Sequence, residues 1–147
     1  MKKLTKLLSL LLVFVLAMGI VACSSFGKVE DALTDLGYTL EENSNEADKY
    51  EDEKITNAYV FKKVLDAGVI LIPSYVIVLE FNSTDDLVAY FEESETLKGL
   101  IKDISKNEDL KKVHAALESK GYACDNCLII NLALDPKVNT AISELNK

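Results

Sequence analysis

Residues 75–81 read YVIVLEF, and this stretch decides which class of fold the chain can form. It is rich in β-branched and aromatic residues, as is typical of strands. Apolar residues occupy both of its faces, which fits a strand in the middle of a sheet better than one at an edge. Residues 56–65 (TNAYVFKKVL) have a similar composition and predict a second strand just upstream.

The segment between these two strands, residues 66–74, contains the apolar run VILIP at 69–73. It either continues a strand or forms an apolar connection. We expect the run to be a buried extension of the sheet. If it were exposed instead, it would be a surface that docks a partner or enters a nearby bilayer.

Helical periodicity appears on both sides of the strands. Val29, Ala32, Leu33 and Leu36 recur at helical spacing, and Gly37 would end that helix. The sequence therefore predicts a first helix that begins near residue 28.

A second helical region follows the YVIVLEF stretch. Ser83 and Asp86 have the spacing of a capping box, so a helix should begin near Thr84. Amphipathic stretches at 97–104 and 110–117 predict further helical structure, either as separate helices or as one bent helix.

The last part of the chain predicts a third strand at residues 127–134 and a final helix. Asp135 followed by Pro136 is a strong helix start, with Asp as the N-cap and Pro in the first turn. The predicted order is α-β-β-α-α-α-β-α. It indicates a single small α+β domain in which helices pack on a short sheet of about three strands.

An internal similarity links two of the helical segments. Residues 28–38 (KVEDALTDLGY) and 112–122 (KVHAALESKGY) share Lys, Val, Ala, Leu, Gly and Tyr at equivalent positions, and each segment precedes a strand. The pattern fits a partial duplication. It also fits two independent short helices that each end at a glycine, because these residue types are common in such helices.

The charge balance excludes one class of partner. The 147 residues include 24 acidic residues against 16 basic ones, and every basic residue is a lysine. A nucleic-acid-binding surface needs clustered positive charge, so we expect no nucleic-acid partner. Residues 41–54 (EENSNEADKYEDEK) are the most acidic segment and predict a solvated loop.

The N-terminus carries the most specific motif in the sequence. Lys2, Lys3 and Lys6 precede an apolar run at 7–21, which is too short to span a bilayer and has the layout of a secretory signal. The run ends in Ile20-Val21-Ala22-Cys23, which resembles the lipobox of bacterial lipoproteins. The alternative is an uncleaved anchor with an ordinary cysteine at this position.

The resemblance implies a domain organisation and a location. Residues 1–22 would be a cleaved signal peptide, 23–27 the lipidated Cys23 and a short tether, and 28–147 the α+β domain. The protein would be lipid-anchored on the extracytoplasmic face of the cell membrane, and in a Gram-negative host Ser24 favours the outer membrane. Removal of the signal peptide leaves 13 lysines against 24 acidic residues, a formal charge of −11.

Cys124-Asp125-Asn126-Cys127 is the one constellation that could carry covalent chemistry. Such a pair can close a structural disulfide, remain as two inert thiols, exchange disulfides or bind a soft metal. A thioredoxin-type site follows a strand and begins a helix, whereas here a helix precedes the motif and a strand follows it. A metal site would need two more ligands, and His114 is the only histidine.

These observations favour a binding protein over an enzyme. The sequence contains no phosphate-binding loop, nucleophile elbow or metalloprotease motif. We expect no metal and no cofactor, and a non-catalytic extracytoplasmic domain that binds a protein or a small molecule. The alternative function is thiol–disulfide exchange by Cys124 and Cys127.

Overall fold

The computed structural model describes residues 25–41, 52–66, 68–101, 104 and 109–147. The lipobox at 20–23 and the signal sequence before it lie outside these ranges, as do residues 42–51 of the predicted acidic loop. Among the described residues, no helix has the length and apolar character needed to cross a membrane.

The described part of the chain forms five helices and five strands. The helices are α1 (Ser25–Asp35), α2 (Thr84–Glu93), α3 (Glu95–Leu100), α4 (Leu110–Ser119) and α5 (Pro136–Leu145). The strands are β1 (Thr39–Leu40), β2 (Ile55–Asp66), β3 (Leu71–Phe81), β4 (Ala123–Cys124) and β5 (Cys127–Asn131). Helix α1 begins at Ser25, so residues 25–27 of the predicted tether are helical.

The strands form one antiparallel sheet in the order β1-β2-β3-β5-β4. The α+β class is confirmed, and β3 is the central strand, as its sequence predicts. The sheet has five strands rather than about three because β1 and β4, of two residues each, pair with the outer sides of β2 and β5. Strand β5 ends at Asn131, earlier than predicted, because residues 132 and 133 form a turn.

Helices cover both faces of the sheet. Face A is covered by α2, α3 and α4, and face B by α1 and α5. Alternate residues of β3 enter the two cores: Leu79 and Phe81 pack on face A, whereas Val76 and Val78 pack on face B. This arrangement explains why β3 is apolar on both sides. The helices and strands given above all lie within residues 25–145, so a chain that begins at Cys23 retains every one of them.

Both predicted N-caps are confirmed. Ser83 is the N-cap of α2, and Asp135 is the N-cap of α5, where its carboxylate accepts a hydrogen bond from the backbone N–H of Lys137 at 3.0 Å. At the start of α2, the Ser83 hydroxyl accepts from the backbone N–H of Asp86 at 3.1 Å and donates to the Asp86 carboxylate at 2.9 Å.

Replacement of Ser83 by alanine should therefore lower the free energy of unfolding by about 1 kcal/mol, because it removes the acceptor for a helix-terminal N–H. Urea denaturation measures this change. Thr84→Ala is the matched control, since Thr84 is the next residue and is also exposed. Equal losses in the two variants would contradict a capping role for Ser83.

The two similar segments form the same local structure. Helices α1 and α4 each end at a glycine of positive φ, Gly37 at +88° and Gly121 at +75°. In each turn the glycine N–H and the following tyrosine N–H bond to carbonyls of the last helical turn, which is the Schellman arrangement. Each unit then continues into a two-residue strand, and these two strands are the opposite edges of the sheet.

Candidate functional site

Strands β2 and β3 form a hairpin that extends beyond the rest of the sheet. Their register pairs Lys63 with Ser74 and continues to the last pair, Asp66 with Leu71. Strand β1 contacts β2 only up to Lys62, and β5 contacts β3 only from Val76 onward. Among the residues that the structure describes, 63–66 and 71–74 therefore form a two-stranded ribbon with no neighbouring strand, and residues 68–70 form its apex.

Large aliphatic side chains cover the ribbon and its apex. At the apex, the exposed fraction is 96% for Val69 and 65% for Ile70, and at the adjacent Leu71 it is 66%. Val64, Leu65 and Ile72 are about half exposed. The expectation of a buried extension is therefore wrong. The run does extend the sheet, but it does so past the point where neighbouring strands end.

The ribbon is apolar on both faces. Side chains alternate along a strand, so Leu65 lies on face B with Phe61, and its cross-strand partner Ile72 lies there too. Val64 and its partner Pro73 lie on face A by the same alternation. A partner that contacts only one face of the ribbon would leave the aliphatic pair on the opposite face in water.

Polar groups mark the base of the ribbon. Lys62 Nζ lies 5.8 Å from the centre of the Tyr75 ring and 3.6 Å from Glu41 Oε1. On the other face, Lys63 Nζ donates to the Leu36 carbonyl at 2.6 Å. Two lysines and a tyrosine therefore surround the ribbon where it leaves the folded body.

One charged side chain, Asp66, lies next to the apex. Asp66, at the end of β2, accepts a hydrogen bond from the Gly68 N–H at 2.8 Å, as in an Asx turn. Its carboxylate therefore stabilises the turn. The side chains at residues 69–72 are all aliphatic.

The N-terminus of α1 lies at the opposite end of the sheet. The Ser25 hydroxyl donates to the Asp125 carboxylate at 2.8 Å, and Asp125 is in the turn between β4 and β5. That turn is level with Glu80, which pairs with Cys127. From Glu80 to Leu71 the sheet extends about 30 Å at the usual rise per residue.

The cysteine pair lies in the same turn region. Cys124 and Cys127 are directly opposite each other in the β4–β5 hairpin, and both are free and buried on face B. Burial, reinforced by the nearby Asp125 carboxylate, raises the pKa of Cys124 to about 11. Burial and the Glu80 carboxylate raise the pKa of Cys127 still further. Both thiols are therefore protonated at neutral pH.

His114 contacts the turn but not the thiols. Its Nε2–H donates to the Asp125 carbonyl at 2.7 Å, and its Nδ1 lies 3.7 Å from a Glu118 carboxylate oxygen. The other Glu118 oxygen accepts from the Asp125 N–H at 3.1 Å. These contacts hold the turn against α4. Within the described ranges, no group of three His, Cys, Asp or Glu side chains is arranged to bind a metal.

A second surface feature, which sequence analysis did not predict, is an apolar cleft of about 240 Å³ between α3, β5 and the start of α5. Its wall includes Leu100 and Leu134, which is 83% exposed at a positive φ of 52°. Asn131 also lines the cleft, and its amide nitrogen donates to Asp135 and Asn139. Its buried amide oxygen accepts no hydrogen bond from the part of the chain that the structure describes. The residues that line the cleft come from three separate elements, so no pattern within one stretch of the sequence predicts it.

Comparison of the chain with protein-family models, curated proteins and solved structures finds no match.

Proposed function

We propose that this protein is a bacterial lipoprotein, anchored through Cys23 on the extracytoplasmic face of the cell membrane. Its α+β domain is a non-catalytic binding module, and the β2–β3 ribbon is its contact surface. The observation that carries the proposal is the cluster of exposed aliphatic side chains at the end of a protruding hairpin. Contiguous exposed apolar patches usually mark sites of protein or membrane interaction.

The anchor follows from the lipobox-like sequence Ile20-Val21-Ala22-Cys23. Each buried methylene of an acyl chain contributes about 0.8 kcal/mol, so two or more chains hold a protein on a bilayer stably. Cys23 is two residues from Ser25, and two residues span at most about 7 Å. The anchor would therefore attach the domain at the start of α1.

Thiol–disulfide exchange has less support. Exchange requires an accessible thiol that ionises readily. Cys124 and Cys127 are both buried, and the pKa of each is raised. No positive charge or helix N-terminus among their described neighbours offsets this effect enough to lower either pKa.

Cys23→Ala tests the anchor. We expect the variant to accumulate as unprocessed precursor or to appear in the soluble fraction, because no thiol remains to accept diacylglycerol. Membrane fractionation and the apparent mass of the product measure this outcome. Ser24→Ala, which keeps the cysteine, is the matched control and should be processed and anchored. A Cys23→Ala protein that is still cleaved and still membrane-bound would refute the proposal.

A further inference from the structure

The ribbon has the composition of a surface that enters lipid. Its exposed large hydrophobic side chains are Val, Leu and Ile, and residues 63–66 and 68–74 contain no aromatic residue although the chain has six tyrosines and five phenylalanines. The side chains that dominate protein–protein interfaces are Trp, Tyr and Arg, whereas Leu and Val are under-represented there. The aliphatic composition therefore favours a bilayer over a protein groove.

The distribution of these side chains points the same way. Leu65 and Ile72 lie on one face of the ribbon, Val64 and Pro73 on the other, and Val69 and Ile70 at the apex. A flat partner surface would cover one face only. An apolar medium that surrounds the hairpin would take all three sets of side chains out of water, and the acyl region of a bilayer is such a medium.

The base of the ribbon fits the headgroup layer. Lys63 lies three residues from the last strand pair, Asp66 and Leu71, and Lys62 and Tyr75 lie four residues from it. This separation is about 10–13 Å at the usual rise of a strand, and the apex lies beyond. Tyrosine is enriched at membrane–water interfaces, and lysine can keep its ammonium group at headgroup level while its stem contacts apolar groups. Interfacial insertion buries apolar groups by about 5–10 Å, so the apex would enter the bilayer while these three residues stay at headgroup level.

Shallow insertion is also what the backbone requires. Residues 63–66 and 71–74 pair with each other along one side, but no described strand pairs with their outer edges. Unpaired N–H and C=O groups are costly in the hydrocarbon core. The apex and the aliphatic pairs next to it can therefore enter the interfacial region, where water still reaches the strand edges, and the base at Lys62, Lys63 and Tyr75 remains among the headgroups.

We infer that the β2–β3 ribbon inserts its apex into the same bilayer that holds the Cys23 anchor. This inference rests on the proposed lipid anchor. Ser25 and the apex lie at opposite ends of the sheet, about 30 Å apart along β3. Two attachment points at that separation require the domain to lie lengthwise along the membrane rather than stand on its N-terminus.

The test attaches the domain to vesicles through Cys23, the residue at which the proposed lipid anchor would be joined. A chain that begins at Cys23 is coupled through that thiol to a maleimide lipid in phosphatidylcholine vesicles. Coupling is directed to Cys23 because Cys124 and Cys127 are buried. Phosphatidylcholine is used because the formal charge of −11 would add repulsion from anionic headgroups, which is unrelated to the ribbon.

The chain contains no tryptophan, so one introduced tryptophan reports its own surroundings. In Ile70→Trp, we expect a blue shift of emission on coupling and strong quenching by lipids brominated on their acyl chains. Leu134→Trp is the matched control, because Leu134 is an exposed aliphatic residue outside the ribbon. Its emission should change little. Addition of Val69→Asp to the Ile70→Trp variant should abolish the quenching, because a carboxylate at the apex opposes insertion.

Three results would overturn the inference. Unchanged Ile70→Trp emission on coupling would place the apex in water. Equal quenching in Leu134→Trp would show that lipid contact is not specific to the ribbon. A blue shift without bromine quenching that grows with protein density would indicate contact with a second copy of the chain. Chemical coupling supplies the anchor whether or not the natural protein is lipidated. The vesicle experiment therefore tests insertion of the ribbon, and the Cys23→Ala fractionation separately tests the anchor.

Discussion

Gly121→Ala should lower the free energy of unfolding by several kcal/mol, far more than Gly37→Ala. Both glycines follow a helix and have positive φ, so alanine meets a similar backbone penalty of about 1–2 kcal/mol at either site. The surroundings differ. A Cβ at Gly121 would overlap the backbone carbonyl group of Asn139 in α5. At Gly37 the nearest atoms belong to the flexible Lys63 side chain, at 3.6 Å and beyond.

The contact at Gly121 helps to hold α5 against the turn that follows α4. The Asn139 side chain donates to the Gly121 carbonyl at 3.1 Å, so the turn after α4 and the middle of α5 touch through both backbone and side chain. Alanine would push α5 away from face B, where Val138 and Ile142 are fully buried. Urea denaturation of both variants measures the difference. Equal losses at the two glycines would show that α5 does not pack against this turn as described.

Cys124 and Cys127 should resist alkylation in the folded protein. A thiol with the ordinary pKa of about 9 is about one-tenth ionised at pH 8, whereas the pKa of Cys124 is raised to about 11. The thiolate fraction at pH 8 is therefore lower by a factor of roughly 100, and burial slows labelling further. Iodoacetamide labelling followed by mass spectrometry measures the rates. The control is the same chain in urea, where both thiols should react at ordinary rates.

The same pKa shift predicts how stability depends on pH. The unfolded thiols ionise near pH 9 and the folded Cys124 thiol near pH 11, so the unfolded state loses protons first as pH rises. The contribution of Cys124 is fully present below pH 9 and is lost between about pH 9 and 11. For Cys124 this contribution is on the order of 2 kcal/mol. Double replacement by alanine should flatten this part of the curve, and an unchanged alkaline profile would contradict the assignment.

Rapid labelling near pH 6 would have a different meaning. It would show that at least one thiol is exposed and ionised, which is the property that disulfide exchange requires. The function would then have to be reassigned from the ribbon to the cysteine hairpin.

Local sequence predicts the strands, helix starts and helix ends that are determined by residues close together in the chain. The apolar positions on both faces of residues 75–81 predict a central strand because such a strand must be covered on both sides. Ser83 and Asp135 predict helix starts because each side chain accepts a hydrogen bond from its own helix. Gly37 and Gly121 predict helix ends because a left-handed residue must follow the last turn. None of these features requires knowledge of a distant partner.

The features that sequence analysis missed depend on distant residues. Strands β1 and β4 have two residues each, and only pairing with β2 and β5 makes them strands. The exposure of the run at 69–73 depends on where β1 and β5 stop, because apolar composition does not reveal whether anything lies alongside. The cleft beside Asn131 depends on the convergence of α3, β5 and α5.

The short outer strands also affect how the protein behaves in concentrated solution. Two-residue edges offer very little backbone for another chain to pair with, and natural proteins use such edges to prevent aggregation. The ribbon is the exception, since residues 63–66 combine an open strand edge with exposed aliphatic side chains. Pro73 removes one N–H donor from the opposite strand. At high protein concentration, aggregation should therefore begin at the β2 edge of the ribbon.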